Sequence, residues 1–283
     1  MVNRKSTLVK HERKRTTSDA QDGMEYNKKV RKLQEKAEEE KKAEDEQFKN
    51  GEDKKNGDEK KNEKGNETLV QSYDTIPSNG DDDNYGEPIP DPDCNPELPR
   101  KVLFSDISAA AFNIRSGVAK TPCNKEYLQV TGSFKERGAR FALTRLTEDE
   151  MKKGVIAASA GNHALALCYH GLKLAVPVTV VMPVFAPLMK ISMCRSYGAT
   201  VILRGTNIQQ AKDYAMFLSR ERHLKYVNGY DAPDILAGQG TIGLEILEQV
   251  PDVDTVLVPV GGGGLVAGLA VAIKTLKPSV KVI

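Results

Sequence analysis

The strongest constraint on the fold is the alternation of short apolar runs with helical patterns from residue 101 to the last residue. Val155–Ala158 reads as a strand, 162–170 as a helix ending at Gly171, and Val178–Met182 as a strand stopped by Pro183. Next come a helix over 187–197 ending at Gly198, a strand at Thr200–Leu203, and helices over 207–220 and 234–249. A strand over 255–260, a helix over 265–276 and a strand beginning at Val280 complete the series. Ser105 and Asp106 offer a helix cap, with Ile107, Ala110, Ala111, Ile114 and Val118 on one face behind them. Such β–α alternation predicts an α/β fold, parallel sheets flanked by helices. Sites in these sheets sit at the carboxyl ends of strands, so the loops after strands carry the information.

Residues 1–98 are different. They are rich in Lys, Glu, Asp, Asn and Gly and thin in apolar side chains, so they cannot bury enough surface to offset chain entropy. They are expected to be a disordered charged tail and linker. A marginal solvent-exposed helix is expected over 30–49, supported by the Glu38–Lys42 spacing. The folded part is then 99–283. The basic cluster of Arg4, Lys5, Lys10, Arg13, Lys14 and Arg15 reads as part of a solvated tail. A net charge of +2 makes no global case for nucleic acid or acidic lipid as a partner. No apolar run is long enough to span a membrane or to form a signal-peptide core. Cys94, Cys123, Cys168 and Cys194 are widely spaced, without a CxxC pair, so neither a metal site nor a disulfide framework is expected, and a cytoplasmic setting fits.

Three loops carry chemistry. TGSFKERGA, over 131–139, opens a helix and puts Lys135 in its first turn, where the positive helix end disfavours an ammonium and so favours a nucleophilic amine. SAGNH, over 159–163, follows a strand directly and opens a helix, which makes an anion site from backbone N–H groups; Asn162 and His163 add directional hydrogen bonds. Four glycines, 261–264, lie between a strand and a helix and let the backbone wrap a phosphate. Each has a plainer reading: a capped helix with a solvated lysine, a tight turn, a flexible turn. Together they supply a nucleophilic lysine, a carboxylate pocket and a phosphate pocket, the set that a phosphorylated aldehyde cofactor and an amino-acid substrate require.

With GQGT at 238–241, these motifs resemble the serine/threonine dehydratases, fold-type II pyridoxal-phosphate enzymes with the tryptophan-synthase-β-like fold. The resemblance runs from about residue 102 to 283. It implies that Lys135 forms the internal aldimine with pyridoxal 5′-phosphate, that Phe134 lies against the cofactor ring, and that Asn162 bonds the ring's 3′ oxygen. It further implies that Gly261, Gly262, Gly263 and Gly264 hold the 5′-phosphate, and that Gly238 lies in a loop alongside the cofactor. Ser159, Ala160, Gly161, Asn162 and His163 would take the substrate carboxylate. The implied activity is an ammonia-lyase (dehydratase) reaction that turns L-threonine into 2-oxobutanoate, or L-serine into pyruvate, plus ammonia. A homo-oligomer is implied for the family form.

Two rival readings stand beside it. Serine racemase needs a proton carrier on each face of a planar carbanion, and in racemases resembling this chain a serine stands where this sequence has Ala160. A truncated, inactive homologue is the other. The family's helix and strand between Pro122 and Ser133 are missing, and the sequence stops inside an expected strand at Ile283. An incomplete sheet with an exposed edge and an inactive or unstable chain are therefore expected.

Overall fold

A computed structural model describes residues 89–123 and 125–283. The reading of 1–88 as disordered, and the helix expected over 30–49, lie outside the described residues. Residues 89–98, expected to be linker, are docked on the body. Asp91 is buried and takes a hydrogen bond from Asn228, and Asp93 pairs with Lys225 at 2.8 Å. The linker reading failed here because the cue was average polarity, whereas three side chains at 91, 93 and 94 find partners more than a hundred residues away.

The element order is α1 (Phe104–Ile114), α2 (Lys135–Thr144), α3 (Glu148–Lys153), β1 (Val155–Ala158), α4 (Asn162–Leu174), β2 (Val178–Met182), α5 (Leu188–Ser196) and β3 (Thr200–Leu203). It continues with α6 (Ile208–Arg222), β4 (Lys225–Tyr226), α7 (Pro233–Gln249), β5 (Thr255–Val256), α8 (Gly264–Leu276) and β6 (Lys281–Val282). One parallel sheet runs β3-β2-β1-β4, and a second parallel pair is β5-β6. The first sheet is in register from Val155 against Val178 and from Thr179 against Thr200.

Because side chains alternate along a strand, each strand feeds two layers. Val155, Ala157, Val178, Val180, Met182 and Val201 pack against α2, α4 and α5 on one face. Ile156, Val181, Ile202 and Tyr226 pack against α6 on the other. Burial on both faces explains why the strands read as continuous apolar runs. The β5–β6 pair packs on α7 and α8 through Val258, Leu269, Ile273 and Val280.

Two boundaries differ from expectation, and two elements are new. Gly171 does not end α4: a Cβ there would lie 2.3 Å from Val178 Cγ2, so glycine lets helix and strand touch. The helix ends at Ala175, in the left-handed region. The strand expected over 255–260 is regular only at Thr255–Val256, although Val258 N–H still donates to the Ile283 carbonyl. Pro259 then has no N–H to extend the ladder. The two-residue strand β4 and the short helix α3 were not anticipated.

Candidate active site

β4 pairs in parallel with the first half of β1, Val155 with Lys225 and Ile156 with Tyr226, and the Val227 carbonyl beyond β4 meets His163 beyond β1. The 159–163 loop that follows β1 and the 227–231 turn that follows β4 are therefore neighbours. Lys135 reaches this place from the first residue of α2. Its Nζ donates to the Gly229 carbonyl at 2.5 Å and lies 5.3 Å from the Phe134 ring centroid. Burial alone pushes the ammonium below the ordinary lysine range. The expected depression is present, with desolvation as its cause where the helix end had been expected to act.

The same turn joins the other two loops. Its Val227 carbonyl meets His163 Nε2 at 3.1 Å, and a Cβ on Gly229 would fall 2.5 Å from the His163 ring. The next residue, Tyr230, backs the glycine loop: a Cβ on Gly262 would lie 2.5 Å from the Tyr230 Cβ, and one on Gly264 only 1.8 Å from the Tyr230 carbonyl oxygen. Lys135, the 159–163 loop and the 261–264 loop thus meet around residues 227–230.

The glycine loop fits a phosphate. Gly262 and Gly264 must be glycine because their backbone presses on Tyr230, while Cβ positions on Gly261 and Gly263 meet nothing within 4 Å. Gly263 is left-handed at φ 82° and caps α8, so the first N–H groups of that helix have no side-chain cap. A cradle bounded on one side, open on the other and lined with helix-end donors suits a dianion.

In the 159–163 loop, Gly161 caps α4 without a side-chain bond, and a Cβ there would meet open space. Ser159 Oγ accepts from Gly161 N–H at 3.3 Å and so braces the loop from within. Ala160 is half-buried against the core. Asn162 Oδ1 accepts from Lys190 Nζ at 3.0 Å, which leaves the amide nitrogen as the end with hydrogens to donate.

Two expected site residues are placed differently. Gly238 is not in a loop. It lies inside α7, where a Cβ would be 2.6 Å from the Gly138 Cα, so its role is close packing of α7 on α2. His163 was expected to bond a carboxylate, but its imidazole is buried and Nε2 is engaged by the Val227 carbonyl. Burial first, then the nearby Lys135 charge, lower its pKa to about 4, leaving it neutral near pH 7. Phe134 is half-buried and lines an open apolar cleft of about 500 Å³ with Leu257, Val258 and Leu269.

Several working residues escaped the sequence reading. The 228–231 turn follows a two-residue strand too short to show a period, although Asn-Gly within it was a usable turn signal. The charges at 136 and 137 were not singled out in the sequence, yet Glu136 and Arg137 are almost fully buried. Arg137 is held by Glu126 and Glu245, each at 2.7 Å. Glu136 Oε1 accepts from Thr131 Oγ1 at 2.9 Å and from the Thr131 N–H, which fixes the loop before Lys135. The small residues between these charges were the available signal, because they let α2 sit close to its neighbours.

Residues 114–283 match the model of the pyridoxal-phosphate-dependent enzyme family. The chain is 50% identical over 158 residues to an L-threonine ammonia-lyase of Thermotoga maritima, an overlap of 56% of this chain and 39% of that protein. Among solved structures it is similar to serine racemase from Dictyostelium discoideum, with a TM-score of 0.61, 36% identity and 64% of each chain covered. It is also similar to the processed form of threonine deaminase isoform 2 from Solanum lycopersicum, with a TM-score of 0.59, 34% identity, 65% of this chain and 60% of the other. The chain therefore spans 39% of the length of the Thermotoga relative and less than two thirds of each solved chain. A family model covering more than half of the residues establishes that this chain belongs to the pyridoxal-phosphate-dependent enzymes.

Proposed function

We propose that this chain is the catalytic part of an ammonia-lyase that eliminates water and then ammonia from L-threonine or L-serine, giving 2-oxobutanoate or pyruvate. The observation that carries the reading is the Lys135 amine, desolvated and turned onto the Gly229 carbonyl of the turn that touches both the 159–163 loop and the 261–264 loop. The names of the Thermotoga and Solanum relatives support the reaction class.

In this reading the 261–264 loop and the first turn of α8 would hold the phosphate of pyridoxal 5′-phosphate, with Phe134 and Asn162 as candidates for contact with its ring. When bound, the cofactor would supply a conjugated electron sink for negative charge at the substrate Cα. Lys135 would carry it, and its neutral amine would be the base that takes the substrate Cα proton. Its lowered pKa suits both roles, since an amine must be neutral to attack or to accept a proton. The backbone N–H groups of 159–163 take the substrate carboxylate, with Lys190 fixing the Asn162 amide. The reading includes a homo-oligomer and a cytoplasmic setting, for which the free thiols of Cys94, Cys123, Cys168 and Cys194 are suitable.

The likeness to Dictyostelium serine racemase raises racemisation as a second reading. Ala160 argues against it, because a methyl group cannot deliver a proton to the far face of the carbanion. The test is incubation of the chain and added cofactor with L-threonine and with L-serine, scoring keto acid and ammonia against D-serine. Keto acid is expected, and Lys135→Ala is expected to abolish it. D-serine as the main product, or turnover retained in Lys135→Ala, overturns the assignment.

A further inference from the structure

The turn that receives the lysine is itself held by residues far away in sequence. Asn228 is 2% exposed and uses both ends of its amide. Its Oδ1 accepts from the N–H groups of Tyr230 at 3.0 Å and Asp231 at 3.4 Å, which closes the turn around Gly229. Its Nδ2 donates to Asp231 Oδ1 at 2.5 Å and to Asp91 Oδ2 at 3.1 Å. Asp91, 6% exposed, braces its own turn by accepting from Asp93 N–H at 3.0 Å, and the Cys94 thiol donates to Asp231 Oδ1 at 3.4 Å. Surface pairs between Asp93 and Lys225 and between Arg100 and Asp234 tether the same segment, but exposed pairs contribute little.

We propose that Asn228 is a positioning residue for Lys135, and that the 91–94 turn is the clamp that holds Asn228 in place. This rests on the reading of Lys135 as the cofactor-bearing amine. The physical argument is that two carboxylates, Asp91 and Asp231, converge on one buried amide. Without the Nδ2 hydrogens between them they would repel, and the turn would open. An opened turn withdraws the Gly229 carbonyl from the Lys135 amine and admits water to it. The turn has no slack to compensate, because Gly229 lies against the His163 ring and Tyr230 against the glycine loop. Among the described residues, Asp91 has no hydrogen bond to a residue assigned to cofactor or substrate, and its bond into the turn is the one to Asn228.

The test is the pH dependence of Lys135 acylation, read by peptide mapping on the full chain in its cofactor-free form. Asp91→Ala and Asn228→Ala are compared with the unchanged chain, each shown to be folded by its cooperative melt. The midpoint for Lys135 is expected to move up by about one pH unit in both, toward that of a solvated lysine, as desolvation is relieved. Asp91→Asn keeps an acceptor for Asn228 Nδ2 and is expected to restore the original midpoint. If Asn228→Ala does not fold, Asp91→Ala decides alone. An unchanged midpoint in folded Asp91→Ala overturns the proposal. Borohydride trapping of added pyridoxal phosphate on the unchanged chain separates the two levels: trapping at a lysine other than Lys135 defeats the enzyme reading, whereas an unmoved midpoint with trapping at Lys135 defeats only the clamp.

Discussion

At the scale of single residues, burial sets the chemistry. Lys135 and His163 both lose solvent, and both shift toward the neutral form. For His163 the consequence for stability has a definite sign. Its folded pKa of about 4 lies below the ordinary 6.5. Above pH 6.5 both folded and unfolded states are neutral there, and the residue adds no pH dependence. Between 6.5 and 4 the unfolded chain takes up the proton first, so stability falls as pH falls, by roughly 3 kcal/mol in total. Urea midpoints measured from pH 7 to 4.5 are expected to decline, and to decline less in His163→Gln, which can still donate to Val227 but does not titrate. Equal slopes in the two proteins contradict this account. His170 is also held neutral by burial and adds to the decline in both.

At the scale of elements, α2 is the keystone, and its contacts with α7 depend on missing side chains and matched charges. A Cβ on Gly238 would approach the Gly138 Cα at 2.6 Å and the Arg137 carbonyl oxygen at 2.7 Å. Gly238→Ala is therefore expected to cost about 1–3 kcal/mol by forcing the helices apart, measured by denaturant unfolding. A neutral result would mean that α7 shifts freely on α2. Arg137 sits between Glu126 and Glu245 with its side chain 1% exposed. Arg137→Ala leaves two carboxylates without their cation and is expected to cost about 3–5 kcal/mol. Arg137→Lys keeps the charge but loses the paired fork and should recover only part of that loss. At the start of α3, Thr147 accepts from Glu150 N–H in a reciprocal cap, so Thr147→Ala should cost about 1 kcal/mol and leave Lys135 chemistry unchanged.

At the scale of the molecule, the β3-β2-β1-β4 sheet is covered on both faces, whereas the β5–β6 pair borders an open apolar cleft of about 500 Å³. Leu257, which lines it, is 76% exposed. Contiguous apolar surface of this kind is sticky. An apolar fluorescent dye is expected to bind the folded chain, and Leu257→Lys to reduce the signal without lowering the melting temperature. An unchanged dye signal in that variant would place the sticky surface elsewhere.

The strands β1, β2 and β3 and the helices between them were legible from the sequence alone, because a doubly covered parallel sheet turns burial into continuous apolar runs that a helix period cannot imitate. The lysine, the SAGNH loop and the tetraglycine could be singled out for a related reason: each is a few adjacent residues at a helix start, and the structure brings all three to the 227–230 turn. What required the tertiary structure was every feature made by distant partners. The buried charges of α2 look like a solvated face until Glu126 and Glu245 arrive. Gly238 falls inside the helix expected over 234–249, but its packing role shows only when α2 is laid against it. The acceptor of the Lys135 amine lies 94 residues downstream, on a turn secured by an aspartate 137 residues before it. Periodicity reports which side of an element is apolar, whereas desolvation and hydrogen-bond pairing depend on which elements meet, and only the packed chain decides that.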